Sequence, residues 1–187
     1  VSCATCHSPA LGFSDGQPVS SGINKQKGGR NSPTVINSAY SPLQFWDGRA
    51  PSLEEQAGGP MQNPIEMGHT HEACIKSLDA IEGYKMQFQK IFGELNIDAV
   101  GKAIASFERT VVTGPSAYDY HVALEKYKQL AEEDLESLKE DDPDAFAEYS
   151  RLLTASEKLP MSESAVRGKV LFFSDKSRCA TCHVGAN

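Results

Sequence analysis

Two short runs near the ends of the chain combine two cysteines and a histidine. Residues 3–7 and residues 179–183 both read Cys-Ala-Thr-Cys-His. Two thiols three positions apart can reach the two vinyl groups on one edge of a porphyrin, and the next histidine can coordinate the iron. The pattern predicts two covalently attached c-type haems. Their attachment and ligand residues are Cys3, Cys6 and His7 for the first, and Cys179, Cys182 and His183 for the second.

Two other interpretations of these runs exist. A redox-active dithiol does not require a histidine after the second cysteine, yet both runs have one. A zinc site made from both pairs would use four thiolates and would leave the two histidines unexplained. Haem therefore accounts for more of the pattern than either alternative. Since haem is normally attached to such motifs outside the cytoplasm, we expect a periplasmic protein.

Helical patterns dominate the segments that must position these motifs. Val100, Ile104, Phe107 and Val111 recur at spacings of four, three and four, which predicts a helix over 98–112. Ser52 precedes two glutamates, as expected for a helix start. Further helices are expected over 72–81, 82–92 and 162–174, and two more within 122–158, separated near Asp142 and Pro143. No segment has a convincing strand pattern, so the predicted fold class is all-α.

Charge and turn residues divide the chain unevenly. Residues 118–158 contain twelve acidic and five basic side chains and so carry the whole net charge of −7. Residues 8–40 are rich in Gly, Pro, Ser and Asn, which suits a segment whose apolar core is largely a porphyrin. The apolar runs are shorter than the roughly 20 residues that a membrane span needs. Lysine and arginine are not clustered, so nucleic-acid binding is not expected.

Several further segments resemble one known family. Together with the haem motifs, they are similar in sequence to the bacterial dihaem cytochrome c peroxidases, a family that includes the enzyme maturing the tryptophan-derived cofactor of methylamine dehydrogenase. The segments are 27–34 (Lys-Gly-Gly-Arg-Asn-Ser-Pro-Thr), 44–50 (Gln-Phe-Trp-Asp-Gly-Arg-Ala), 52–57 (Ser-Leu-Glu-Glu-Gln-Ala), 63–68 (Asn-Pro-Ile-Glu-Met-Gly) and 168–173 (Gly-Lys-Val-Leu-Phe-Phe).

The resemblance implies two cytochrome c-like haem domains with different tasks. Residues 1–115 would form the peroxidatic domain, 116–161 an acidic helical insertion or linker, and 162–187 the start of an electron-transfer domain. Family members continue past the second motif, so we expect a longer or cleaved protein. The implied reaction reduces hydrogen peroxide to water with electrons from a cytochrome c or cupredoxin, in a possible homodimer. A maturation-type oxidase acting on a partner protein and a non-enzymatic dihaem electron carrier are the alternatives.

The resemblance also implies roles for four residues. Glu66 matches the carboxylate that takes and returns a proton during O–O cleavage, and Gln56 matches an amide that hydrogen-bonds the ligand. Trp46 matches an indole between the haems that relays electrons, and Asn31 matches a ligand of a calcium ion. Each could instead have an ordinary structural place: Glu66 on the surface after a proline, Gln56 on a helix surface, Trp46 in the core and Asn31 in a turn.

One position departs from the family pattern. Many of these peroxidases have a histidine before the 27–34 segment that caps the first iron at rest, and here Ile23 occupies that position. Because isoleucine cannot ligate iron, we expect the first haem to be five-coordinate or water-bound at rest. The maturation branch also lacks this histidine, so the departure leaves the choice between the two activities open.

Overall fold

A computed structural model describes residues 1–183, apart from the side chain of Glu132, and has the predicted all-α fold. The described residues form α-helices and short 3₁₀ turns, with three isolated β-bridges but no strand. The chain falls into two compact units, Val1–Thr113 and Gly114–Asn187. The division into domains at 115 and 161 stays a prediction.

Within residues 1–183, five α-helices lie in the first unit and four in the second. The first five are α1 (Cys3–Cys6), α2 (Leu53–Gln62), α3 (His71–Asp79), α4 (Glu82–Phe92) and α5 (Ile97–Glu108). The other four are α6 (Ala117–Glu125), α7 (Glu132–Asp141), α8 (Pro143–Lys158) and α9 (Glu163–Phe172). None of these helices is both long and apolar enough to cross a lipid bilayer.

Helices α2 and α5 pack closely and form the framework of the first unit. Their approach requires Gly101, because a Cβ there would lie 2.8 Å from the backbone oxygen of Glu54. Arg109, directly after α5, donates two hydrogen bonds to the Glu54 carboxylate at 2.7 and 3.1 Å. The core beside them contains buried Met61, Phe88, Ala99 and Val100. This framework fixes the direction of α2, which leads directly into the segment that carries Glu66.

The segment before Ala50 has almost no core of its own. Among residues 1–49, Ser32 alone is buried. The segment is nevertheless tied down by turns and by bridges such as Ser21 with Lys27. Its apolar side chains include Leu43 and Trp46, which are 51% and 64% exposed. A porphyrin would supply the apolar surface that this segment lacks.

The second unit has a small core of its own. Leu124, Tyr127 and Leu152 are buried, and the rings of Tyr127 and Tyr149 pack at 5.0 Å between centroids. Three helices, rather than the predicted two, lie within or across 122–158, so that prediction was wrong. The break near Asp142 and Pro143 occurs as expected, since Asp142 caps α8 and Pro143 is its first residue.

The unexpected break lies at 126–131, between α6 and α7. This stretch has no glycine or proline that would signal it. Turn hydrogen bonds end α6, and the Asp134 carboxylate accepts the backbone N–H of Ala131 at 3.0 Å to begin α7. In the first unit, α5 ends at Glu108 rather than at the predicted Val112.

Candidate functional site

The first Cys-Ala-Thr-Cys-His run forms the one-turn helix α1. One helical turn brings the side chains of Cys3 and Cys6 to the same face. The imidazole of His7 then places Nδ1 3.0 Å from the backbone oxygen of Phe13. Because a carbonyl oxygen can only accept, Nδ1 carries the proton and Nε2 presents its lone pair. This is the tautomer and anchoring that a haem-ligating histidine needs.

Ser32 is a second neighbour of His7 that the sequence did not single out. Its hydroxyl oxygen lies 3.3 Å from both Nδ1 and Nε2 of His7, and Ser32 is the one buried polar residue in the described chain. This hydroxyl can donate a hydrogen bond to the Nε2 lone pair when no metal is bound to Nε2. Only its position within the 27–34 segment could have drawn attention to Ser32.

Glu66 lies at the wall of a cavity of about 320 Å³. The cavity is formed by the segment around Phe45 and by the second half of α2 with the residues that follow it. Its lining includes Phe45, Arg49, Glu55, Gly59, Asn63 and Glu66. Glu66 is half-buried after Pro64 and Ile65. A carboxylate in a pocket between an aromatic ring and a helix end can exchange a proton with a small bound ligand.

Contacts from two segments hold Glu66. Asn63 donates from Nδ2 to Glu66 Oε1 at 2.8 Å, and its backbone oxygen accepts the Glu66 N–H at 3.1 Å. The backbone N–H of Ile23 donates to the Glu66 carbonyl at 2.7 Å. Gly22 lies so close that a Cβ there would be 1.9 Å from the Ile65 carbonyl oxygen. The segment around Ile23 therefore packs directly on the backbone of Glu66.

The other three residues singled out from the sequence lie apart from the cavity lining. Gln56 is half-buried in α2 beside Glu55, but it is not among the residues that line the cavity. Trp46 is 64% exposed, so it is not a core aromatic in the described chain. Its indole N–H donates to the Asn31 carbonyl at 2.9 Å, and the Asn31 side chain donates to the Gln17 carbonyl at 2.6 Å.

Arginines near Trp46 pair with a carboxylate. Arg30 and Arg49 donate to the two oxygens of Asp47 at 2.9 and 2.8 Å, and these hydrogen bonds lower the pKa of Asp47 to about 2. Arg49 also lies over the ring of Phe45, 3.5 Å from its centroid. Both arginines are therefore engaged by Asp47 in the described residues.

The thiol of Cys6 is electrostatically linked to the cavity. Burial and then the negative charge of Asp15 raise its pKa, and the charge of Glu66 adds to this effect.

The second motif begins with a 3₁₀ helix over Cys179–Thr181. The backbone N–H of His183 donates to the Cys179 carbonyl at 3.0 Å, and the His183 ring lies 5.9 Å from that of Phe172 at the end of α9. Cys182 and His183 are exposed. In residues 1–183, no group of three or more His, Cys, Asp and Glu side chains could together hold a metal ion.

The sequence alone gave no role to two titratable groups. The side chain of His121 is only 19% exposed, and its Nε2 lies 3.6 Å from Glu125 Oε1. Burial, with Lys128 and Lys169, lowers the pKa of His121. Glu108 at the end of α5 has an Oε2 atom that is buried without a hydrogen-bond partner, and burial raises its pKa to about 7.

The all-α fold, the paired thiols of α1 and the anchored imidazole of His7 together define a c-type haem protein. A family model described as di-haem cytochrome c peroxidase matches residues 1–127, and the chain belongs to that family. The resemblance inferred from the sequence is thereby confirmed.

Individual relatives include both branches of the family. The chain is 46% identical to the cytochrome c551 peroxidase of Nitrosomonas europaea over 121 residues, which cover 64% of this chain and 36% of that protein. It is 32% identical to the methylamine utilization protein MauG of Methylophilus methylotrophus over 186 residues, 98% of this chain and 46% of that protein. The chain thus spans less than half the length of these relatives.

A solved structure shows the same fold. The crystal structure of a MauG-like protein associated with microbial copper homeostasis superposes with a TM-score of 0.73 at 24% identity. The superposition covers 99% of this chain and 46% of that one. At this identity the likeness concerns the fold alone.

The residues of the first unit fit a haem. Nε2 of His7 offers a lone pair, Cys3 and Cys6 share a helical turn, and the 49 residues before Ala50 lack an apolar core. A zinc site made from both cysteine pairs would leave this anchored imidazole without a purpose.

Proposed function

We propose that the protein reduces hydrogen peroxide to water at the first haem, which is bound covalently through Cys3 and Cys6 and ligated by His7. A second haem on Cys179, Cys182 and His183 passes on electrons from a small donor protein, a cytochrome c or a cupredoxin. The observation that carries the proposal is the half-buried Glu66 carboxylate at the wall of the 320 Å³ cavity, held there by a hydrogen bond from Asn63.

Glu66 handles the proton in this reaction. When bound, the haem supplies the iron on which the O–O bond is cleaved. An oxygen of Glu66 takes the proton from the near oxygen of peroxide and returns it to the far oxygen, which leaves as water. Gln56 offers an amide for hydrogen bonding to the ligand, and Phe45 excludes water from the cavity wall. Trp46, exposed and anchored to the Asn31 carbonyl, relays electrons.

Replacement of Glu66 with glutamine tests this assignment. Glutamine keeps the size of the side chain but cannot take up the proton, so we expect kcat for peroxide reduction to fall about 100-fold or more. Glu94→Gln, a change at an exposed glutamate of the same unit, is the control and leaves the rate unchanged. Peroxide reduction that is unaffected by Glu66→Gln would instead favour a non-enzymatic dihaem electron carrier.

A maturation-type oxidase, which uses peroxide to oxidise residues of a partner protein, is the second candidate function. The similarity to MauG over nearly the whole chain, and Ile23 where many peroxidases have histidine, are both compatible with this function and leave the choice between the two activities open. Fast steady-state turnover with reduced cytochrome c supports the peroxidase. Slow turnover, with oxidation of a partner's side chains, supports the oxidase.

Ile23 also leads to a proposal about the resting state. Its side chain packs near Gly68, beside Glu66, and has no atom that can bind iron. The first haem is therefore five-coordinate or water-bound when fully oxidised and reacts with peroxide without prior reduction. The electronic spectrum of the oxidised protein should contain a high-spin ferric component, and a purely low-spin spectrum would contradict the proposal.

Three further assignments rest on family resemblance. Asn31 uses its amide nitrogen for the Gln17 carbonyl, and its side-chain oxygen serves as a calcium ligand. The protein acts in the periplasm, as its haem motifs suggest, and forms a homodimer. Activity after calcium chelation tests the calcium ion, and light scattering tests the dimer. Intact mass with haem staining tests the covalent haems proposed above.

A further inference from the structure

The side chain of Asn63, at the end of α2, accepts one hydrogen bond and donates another. Its Oδ1 accepts the backbone N–H of Ile65 at 3.0 Å, and its Nδ2 donates to Glu66 Oε1 at 2.8 Å. Because a backbone N–H can only donate, Oδ1 must face Ile65, and the amide donor must then face the carboxylate. The turn that Asn63 closes thereby fixes the direction of the donor.

We propose that Asn63 is a positioning residue that orients the Glu66 carboxylate toward the proton of a small acidic ligand. This inference rests on the function proposed for Glu66. The ligand class is a weak acid that binds iron as its anion, such as hydrogen peroxide or hydrogen cyanide. On binding, the ligand's H–O or H–C bond breaks, its proton passes to Glu66, and the electron pair stays on the anion. No oxidant or reductant is needed for this step.

The two carboxylate oxygens of Glu66 have different tasks in this arrangement. Oε1 is held by Asn63, while Oε2 has no side-chain partner in the described residues and is left to receive the proton. Hydrogen bonds to a charged carboxylate are stronger than those between neutral groups and fix its plane. A carboxylate held in one orientation needs no reorganisation when the ligand arrives.

The backbone of Glu66 is already fixed by other contacts. Its carbonyl accepts the N–H of Ile23 at 2.7 Å, and its N–H donates to the Asn63 carbonyl at 3.1 Å. The remaining freedom of Glu66 lies in its side-chain torsions, which cost conformational entropy to fix. Asn63 restrains those torsions because its amide lies within hydrogen-bonding distance of the carboxylate.

Asn63→Asp tests the proposal with little change in shape. Aspartate can still accept the Ile65 N–H and so keeps the turn, but it replaces the donor with a second acceptor. Two carboxylates at this distance either share a proton, which occupies the acceptor, or repel each other, which turns Glu66 away from its position. In the haem-loaded protein, we expect the association rate of cyanide to fall at least tenfold, whereas the thermal unfolding midpoint changes little.

Cyanide binding is chosen because it reports proton uptake without turnover. The matched control is Gln62→Ala, which removes the exposed amide next to Asn63 and should leave the rate within twofold of wild type. The same Asn63→Asp change is also made in the Glu66→Gln background. If Asn63 acts through Glu66, it changes the cyanide rate there by less than threefold.

The outcomes separate this inference from the proposed function. Wild-type cyanide binding by Asn63→Asp, or an equal loss in both backgrounds, would overturn the positioning role and leave the function of Glu66 standing. If Glu66→Gln itself binds cyanide and reduces peroxide at the wild-type rate, the proposed function fails first. A tenfold loss that depends on the presence of Glu66 supports both.

Discussion

The buried carboxyl of Glu108 makes the stability of the first unit depend on pH. Burial raises its pKa from an ordinary value of 4.5 to about 7. In the folded state Glu108 therefore binds a proton between these pH values, when the unfolded chain has already lost it. Since the folded state then binds more protons, the free energy of unfolding falls as pH rises from about 4.5 to about 7.

The size of the effect follows from the two pKa values. The difference between the two pKa values corresponds to about 3 kcal/mol in the free energy of unfolding. Partial solvent access to Glu108 reduces this contribution to about 1–2 kcal/mol. Glu108→Gln keeps the shape but removes the ionisation. We expect this variant to be about 1–2 kcal/mol more stable than wild type at pH 8 and nearly equal to it at pH 4.5.

Denaturant unfolding of the haem-loaded protein, repeated across this pH range, measures the difference. Glu94→Gln, at an exposed position in the same unit, is the control and should follow the wild-type pH dependence. If Glu108→Gln also shows the wild-type dependence, Glu108 is not protonated in the folded state and the argument from its burial is wrong.

Two further predictions concern packing and are checked by thermal or denaturant unfolding. Gly101→Ala places a Cβ 2.8 Å from the Glu54 carbonyl oxygen and should destabilise the first unit by about 1–3 kcal/mol, whereas Gly83→Ala in α4, with no atom within 4 Å, should be neutral or stabilising. Leu152→Ala removes a side chain that is 5% exposed and should cost about 2–5 kcal/mol, whereas Leu153→Ala, 39% exposed, should cost far less. Equal effects within either pair would contradict the packing described here.

Local sequence signals predicted much of the helical framework. Ser52 caps α2 as expected, Ser162 caps the helix predicted over 162–174, and Asp142 with Pro143 begins α8 at the predicted place. These features could be inferred because a cap or a proline acts through its immediate neighbours. The break between α6 and α7 was missed because tertiary packing and one carboxylate, Asp134, produce it without glycine or proline.

The candidate site was predicted only in part. The spacing of the two cysteines and His7 is a complete local signal for haem attachment. The contact of Ser32 with His7 joins residues 25 positions apart, so no local pattern could reveal it. The sequence could have pointed to Asn63, since an asparagine before proline marks a turn and Glu66 follows three residues later. The direction in which its amide donates could be seen only in the structure.

Gly22 shows that a glycine can fix the position of another residue through the backbone alone. Any side chain there would overlap the carbonyl oxygen of Ile65, whose distance from an added Cβ would be 1.9 Å, and would push the Glu66 backbone out of place. In a saturation mutagenesis screen, Gly22 would therefore be as intolerant of substitution as residues that transfer protons. Laboratory evolution of this protein toward new oxidants would have to keep Gly22 wherever it keeps Glu66.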